Sequence, residues 1–228
     1  MEGHRLIEEL KKSALFAGLS EAEIGSCLSC SKAKAVAYRK EEMIFLQTDR
    51  PDSLLVLLDG TVVVGSDSKD GRRSIVATFS QPGELFGEVF LFLGREAYGH
   101  YAQAAAAARV LRIPKEFLYH PCEKSCSCHA KLISNMLSIL AQKAYFLNQR
   151  LQIMSCATLR QKIAAALLQN ISSDGKAALA MNREELADYL NAARPSVSRE
   201  LMKMQKDGLL KIDRKNIFID RDKLRSIL

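Results

Sequence analysis

The sequence predicts an α+β fold in three successive parts: an antiparallel β-roll, a long coiled-coil helix and a winged helix-turn-helix. Three patterns carry this expectation. Short β-type runs broken by turn signals fill residues 33–114, an unbroken heptad stripe covers 133–154, and two amphipathic helices over 182–204 precede a pair of strand-like runs. The parts fall at 1–129, 130–156 and 157–228, each an ordinary length for a small domain or a dimerisation helix.

In chain order, Leu6, Ile7 and Leu10 are apolar at helical spacing, and Ser20 can cap a helix over 21–30. The β-type runs at 43–46, 54–58, 61–64, 74–79 and 110–113 are separated by Arg50-Pro51-Asp52, Asp59-Gly60, Asp70-Gly71 and Gln81-Pro82-Gly83. Strands at this close spacing predict a roll or sandwich. Residues 102–108 are nearly all alanine around Gln103. Small inward side chains would leave room for a ligand, or would pack tightly against bulky neighbours.

Ile133, Leu137, Leu140, Ala144, Leu147, Leu151 and Met154 alternate spacings of four and three, the a/d seam of a coiled coil. Asn135, Gln142, Lys143, Asn148, Gln149 and Arg150 make the rest of the segment polar. A helix buried within one domain would carry a broader apolar face, so the seam predicts a homodimer.

Asn182, with Glu185 three residues on, has capping-box spacing, and Leu186 and Leu190 supply an inner face. In the following helix Val197, Leu201 and Met204 form a stripe to bury, while Arg199, Lys203 and Lys206 point away from it. Pro195 suits the first helical position, where its missing N–H costs nothing. Such a pair reads as a helix-turn-helix, offering Arg194, Pro195, Ser196, Ser198, Arg199 and Lys203 to a DNA major groove. Gly208 ends the second helix. Residues 209–212 and 216–219 then make a hairpin whose tip, Asp213-Arg214-Lys215, suits a phosphate-touching wing.

Charge agrees with this assignment. Of 33 basic and 26 acidic side chains, residues 1–128 hold 16 and 17, leaving 17 and 9 for residues 129–228. The excess of +7 thus lies in the half holding the helix pair, as polyanion binding requires. No apolar run approaches a membrane span, and the start Met-Glu-Gly-His-Arg has no signal-peptide core, so the expected compartment is the cytoplasm with no membrane partner. The histidines, His4, His100, His120 and His129, are scattered, and no Ser/His/Asp or nucleotide-hydrolysis motif is present. An enzyme built on a metal-binding β-roll is therefore disfavoured. A β-roll regulatory subunit acting by protein contact alone would leave the wing and the basic half unexplained.

These parts, in this order, resemble the CRP/FNR family of bacterial transcription regulators. Pro82-Gly83-Glu84-Leu85-Phe86-Gly87-Glu88 is similar to the family's cassette between strands. Glu185-Leu186-Ala187-Asp188-Tyr189-Leu190 with Arg194-Pro195-Ser196-Val197-Ser198-Arg199 is similar to its helix-turn-helix. The resemblance implies that the roll is a jelly roll like those that bind cyclic nucleotides. It also implies double-stranded promoter DNA and RNA polymerase as partners, with Arg194, Pro195, Ser198 and Arg199 at the DNA-reading positions. Arg199 can pair bidentately with guanine, and Ser198 can donate to or accept from a base edge. Many members carry a glutamate where Pro195 stands, which implies a different preference at that base pair.

The resemblance further implies an effector held near Phe86, Gly87, Glu88, Val89, Arg95, Tyr98 and Gly99. Cyclic-AMP-binding members follow the Gly-Glu with an Arg-Ser pair for the phosphate, whereas ungapped alignment puts Tyr98 and Gly99 there. Arg95 lies three residues too early. A buried phosphodiester without an arginine would be poorly compensated, so an apolar or aromatic effector is expected instead of cyclic AMP. Cys122, Cys126, Cys128 and His129 offer a rival trigger by metal ligation (zinc or an iron–sulfur cluster) or by a reversible disulfide. Haem ligation by His100 or a cysteine is a further option. Their spacing matches no standard zinc finger, and cysteine also packs well as a small hydrophobe. The cofactor stays open.

Overall fold

Strand β3 (Ser53–Asp59) is the central element of the N-terminal half, in a computed structural model that describes residues 2–67, 73–120, 127–170, 176–177, 181–213 and 216–228. The chain before it runs through α1 (Glu2–Leu10), a 3-10 turn (Ala14–Phe16), α2 (Glu21–Ser31), β1 (Lys34–Tyr38) and β2 (Met43–Phe45). After β3 come β4 (Val62–Asp67), β5 (Arg73–Phe79), β6 (Leu85–Phe86), α3 (Glu88–Phe92), β7 (Tyr101–Ala104), β8 (Ala108–Pro114) and α4 (Lys115–Tyr119). The long α5 (Ser127–Ser155) and α6 (Leu159–Gln169) follow. The chain ends with β9 (Lys176–Ala177), α7 (Arg183–Tyr189), α8 (Arg194–Lys206), β10 (Leu210–Asp213), β11 (Asn216–Ile219) and α9 (Arg221–Arg225). Two compact units result, Met1–Ala141 and Gln142–Leu228.

The first unit is the expected β-roll. Its sheets are β1-β8-β3-β6 and β2-β7-β4-β5, and every strand pair is antiparallel. Leu55 and Leu57 of β3 join Val110, Phe86, Phe45, Ala102 and Ala104 in one apolar cluster. Leu54, Val56 and Leu58 enter another with Leu10, Leu15, Phe16, Ile24, Leu132 and Met136 from the helices. Because successive side chains point to opposite faces, a strand covered on both sides must be apolar throughout, as residues 54–58 are. Each fully buried leucine here contributes about 1.5–3 kcal/mol.

The predicted cap at Ser20 forms in full: its Oγ accepts from the Glu23 N–H, and Glu23 accepts from the Ser20 N–H at 2.8 Å. Asn135 of α5 donates to the Leu15 and Ala17 carbonyls, both at 3.0 Å, and Lys131 donates to the Gly18 carbonyl. The alanine-rich stretch divides by environment. Ala102, Ala104 and Ala108 are buried among bulky neighbours in the roll, and residues 105–107 form an exposed turn, so packing and not an open space accounts for the small side chains. The predicted Asp70-Gly71 turn lies outside the described residues.

The second unit gathers α6, α7, α8, α9 and the three-stranded sheet β10-β11-β9 around Ile153, Ile163, Leu167, Leu186, Leu190, Val197, Leu201 and Met204. The hairpin pairs Leu210 with Ile219 and Asp213 with Asn216, as expected of the wing. Its tip residues Arg214 and Lys215 lie outside the described residues. Helix α6 and the third strand were not apparent in the sequence.

The β3–β4 turn holds Gly60 at φ +91°, where a Cβ would stand 2.2 Å from the Ala107 carbonyl oxygen. Gly60→Ala should therefore cost about 2–3 kcal/mol, read as a lowered midpoint in urea unfolding.

Candidate nucleic-acid interface and effector site

Helix α7 begins as its sequence dictates. Asn182 Oδ1 accepts from the Glu184 and Glu185 N–H groups at 2.9 and 3.0 Å, and Glu185 accepts from the Asn182 N–H at 2.7 Å. Asn191 takes the left-handed conformation (φ +48°) in the turn to α8. Proline occupies the second residue of α8, one later than expected but still in the turn whose N–H groups lack helical partners. Val197, Leu201 and Met204 are buried, leaving Arg194, Pro195, Arg199 and Lys203 exposed and Ser196 and Ser198 half-buried.

Arg199 Nε donates to the Pro195 carbonyl at 3.3 Å, which steadies the side chain near its base. Arg160 of α6 is engaged differently: it meets Glu200, midway along α8, at 2.6 Å and Asp207, just past its C-terminal end, at 2.7 Å, bracing α6 against α8. The single guanidinium thereby offsets one of the two negative charges within the unit. The outward face of α8 is left to cations.

In the roll, the expected effector residues separate. Phe86, Gly87 and Tyr98 come together, Glu88 is buried, and Gly99 is exposed yet backs onto Phe90, whereas Val89 and Arg95 are exposed. The cluster also contains Phe45, Phe90 and His100, which no local sequence pattern places with it. Tyr98 stacks on Phe45 with ring centroids 3.7 Å apart and an interplanar angle of 12°. Phe90 meets Tyr98 edge-on at 5.7 Å and His100 at 5.4 Å. Gly87 (φ +73°) is the cassette residue beneath these rings, and a Cβ there would come within 3.2 Å of both Phe45 and Tyr98. The glycine thus serves conformation and close approach together.

Tyr98 is 3% exposed, and its hydroxyl and the buried His100 Nδ1 have no hydrogen-bond partner among the described residues. At the same end of the roll, Arg112 donates to Tyr38 at 3.3 Å and to Asp52 at 3.2 Å. Burial first, and then the Asp52 charge, push the Tyr98 hydroxyl up to about 12.

Along α5 the seam residues differ in cover. Leu137, Leu147 and Leu151 are 60%, 63% and 63% exposed and Ala144 is exposed; Ile133, Leu140 and Met154 are half-buried. Of the candidate metal ligands, Cys122 and Cys126 lie outside the described residues. Cys128 is buried in the helix-side core, and His129 stacks on Phe117 at 4.7 Å.

Residues 35–125 match the cyclic nucleotide-binding domain, and residues 161–227 match the Crp-like helix-turn-helix domain. The chain belongs to the CRP/FNR family. Among relatives, the nitrogen fixation regulation protein FixK of Azorhizobium caulinodans is 27% identical over 207 residues, covering 85% of this chain and 78% of that protein. The cyclic AMP receptor protein of Thermus thermophilus is 26% identical over 204 residues, covering 89% and 90%. The solved structure of Thermus thermophilus catabolite activator protein has the same fold, with a TM-score of 0.52 and 24% identity over 94% of this chain and 98% of that one. This CRP/FNR member is accordingly a DNA-binding transcription regulator with a ligand-sensing domain ahead of its helix-turn-helix. Among its described residues no helix is long and apolar enough to cross a membrane.

Because the folded state holds the Tyr98 proton to about pH 12, while the unfolded tyrosine releases it near 10, the unfolded state loses its proton first as pH rises. Stability should fall between about pH 10 and about 12. Tyr98→Phe should lose that component and be at least as stable as wild type at pH 7, since it removes a buried unpaired hydroxyl. Chemical unfolding of both proteins across this range checks it.

Proposed function

We propose that two copies of this regulator join along the α5 seam and bind a palindromic promoter site with paired α8 helices, under control of a small effector in the β-roll. The observation that carries this reading is the two-faced α8: an apolar stripe buried in its own unit, with Arg194, Arg199 and Lys203 left outward. Arg199 presents a fork matched to guanine O6 and N7, and Ser196 and Ser198 offer hydroxyls to base edges or phosphates. The Pro195 side chain offers no acceptor, so the cytosine contact a glutamate would make there is lost. A twofold dimer sets half-sites about one helical turn apart.

The seam supports pairing because Leu137, Leu147 and Leu151 leave large apolar surfaces in water on a single chain. Pairing through Ile133, Leu137, Leu140, Ala144, Leu147, Leu151 and Met154 would cover them. On this reading residues 1–129 sense, 130–156 dimerise and 157–228 bind DNA.

For the effector, the aromatic set Phe45, Phe86, Phe90 and Tyr98 favours an apolar or aromatic molecule over a cyclic nucleotide. The rings carry no charge to meet a phosphodiester, Arg95 faces solvent, and Arg112 at that end of the roll is already engaged by Tyr38 and Asp52. An effector bound there would bias one arrangement of the paired chains, with residues 154–159 as the hinge.

Arg199→Ala should weaken binding to a selected operator by about 1–3 kcal/mol without altering the sedimentation of the dimer. Normal operator affinity in that variant would remove α8 from its reading role. Leu147→Glu with Leu151→Glu should yield a monomer in sedimentation and bind the palindrome about 100-fold more weakly. A dimer that persists would place the interface elsewhere.

A further inference from the structure

Met202 is 51% exposed on α8, between turns occupied by cations. At 100° per residue, Pro195, Ser198, Arg199, Met202 and Lys206 follow one another up a single face, opposite the buried Val197, Leu201 and Met204. What singles out this apolar side chain is its place near the middle of that outward face, among polar and cationic neighbours and uncovered by its own unit.

We infer that Met202 reads the 5-methyl group of a thymine in the operator's major groove. The inference rests on the reading of α8 as the recognition helix and adds a base preference to it. Of the four bases only thymine displays a methyl group in the major groove, and apolar side chains recognise it by burying it. Methionine suits this contact, being unbranched, with three rotatable bonds and a polarisable thioether that adapts to a flat edge. The surroundings select the same partner. Arg199, Lys203 and Lys206 are exposed within about one turn of Met202, and these cations beside one apolar side chain complement a polyanion that carries methyl groups. Met202 lies one turn beyond Arg199 and about 10 Å along the axis from Pro195. Its thymine is therefore a different base from the one Arg199 addresses, reached from further along the helix.

The test starts from duplexes enriched out of a random-sequence pool by the full-length protein. Each enriched thymine is replaced in turn, in both half-sites, by deoxyuridine, which lacks only the methyl group. Gel-shift affinities are then compared for wild type and Met202→Ala, an exposed substitution whose fold is checked by circular dichroism. At one symmetry-related thymine pair, wild type should bind the deoxyuridine duplex about tenfold more weakly, and Met202→Ala should bind both duplexes alike. If every deoxyuridine duplex binds wild type as tightly as thymine does, or if Met202→Ala keeps the tenfold penalty, Met202 reads no methyl group and α8 still stands as the reading helix. A pool that does not enrich at all overturns both.

Discussion

Burial of β3 on both of its faces is the constraint from which the sensing unit follows. Leu54, Val56 and Leu58 need the helices, and Leu55 and Leu57 need the second sheet, so neither layer can be removed without exposing the other. Strand β8 answers with the same division: Leu111 and Ile113 face the helices, and Ala108 and Val110 face the roll interior. Alternation along two neighbouring strands thus fixes the register of their pairing, because a slip of one residue would exchange the two apolar sets. The cassette inherits its position from this arrangement. Strand β6 pairs with β3 through Leu55–Phe86 and Val56–Leu85, which places Gly87 and Glu88 at the end of a fixed strand and not on a wandering loop.

The C-terminal unit solves a different problem, keeping cations available while its core stays dry. Three residues of α8 supply packing, and Arg160 engages both Glu200 and Asp207, offsetting part of a negative charge that would otherwise repel a polyanion. A partly exposed pair of this kind adds little to stability. Its value lies in where it leaves the remaining charge.

Much of this was legible in the sequence because the signals are local. The capping boxes at Ser20 and Asn182, the buried stripe of α8 and the wing strands each depend on residues within a few positions of one another. The effector-site cluster was only partly legible. Phe45 and Tyr98 are distant in sequence, and nothing near either residue announces that their rings stack. Glycine at position 87 was visible as part of a motif, but its packing beneath two rings was not. Helix α6 gives a weak sequence signal because alanines make up part of its inner face, so its apolar period is faint beside the heptads before it. The alanines at 102–108 allowed two readings, since a small side chain is equally compatible with a void and with a large neighbour. Only the bulk of Tyr38, Phe45 and Phe86 decides between them.

Helix α5 is continuous over 29 residues, with no glycine or proline to absorb a change in its length. Adding or deleting one residue between Leu140 and Leu147 would swing Leu147 and Leu151 through about 100° relative to Leu137, taking them off a common line. Whole heptads, by contrast, preserve that line nearly unchanged. In the proposed dimer, length variation along this helix would be confined to steps of about seven residues, the spacing of its leucines acting as a ruler on insertions.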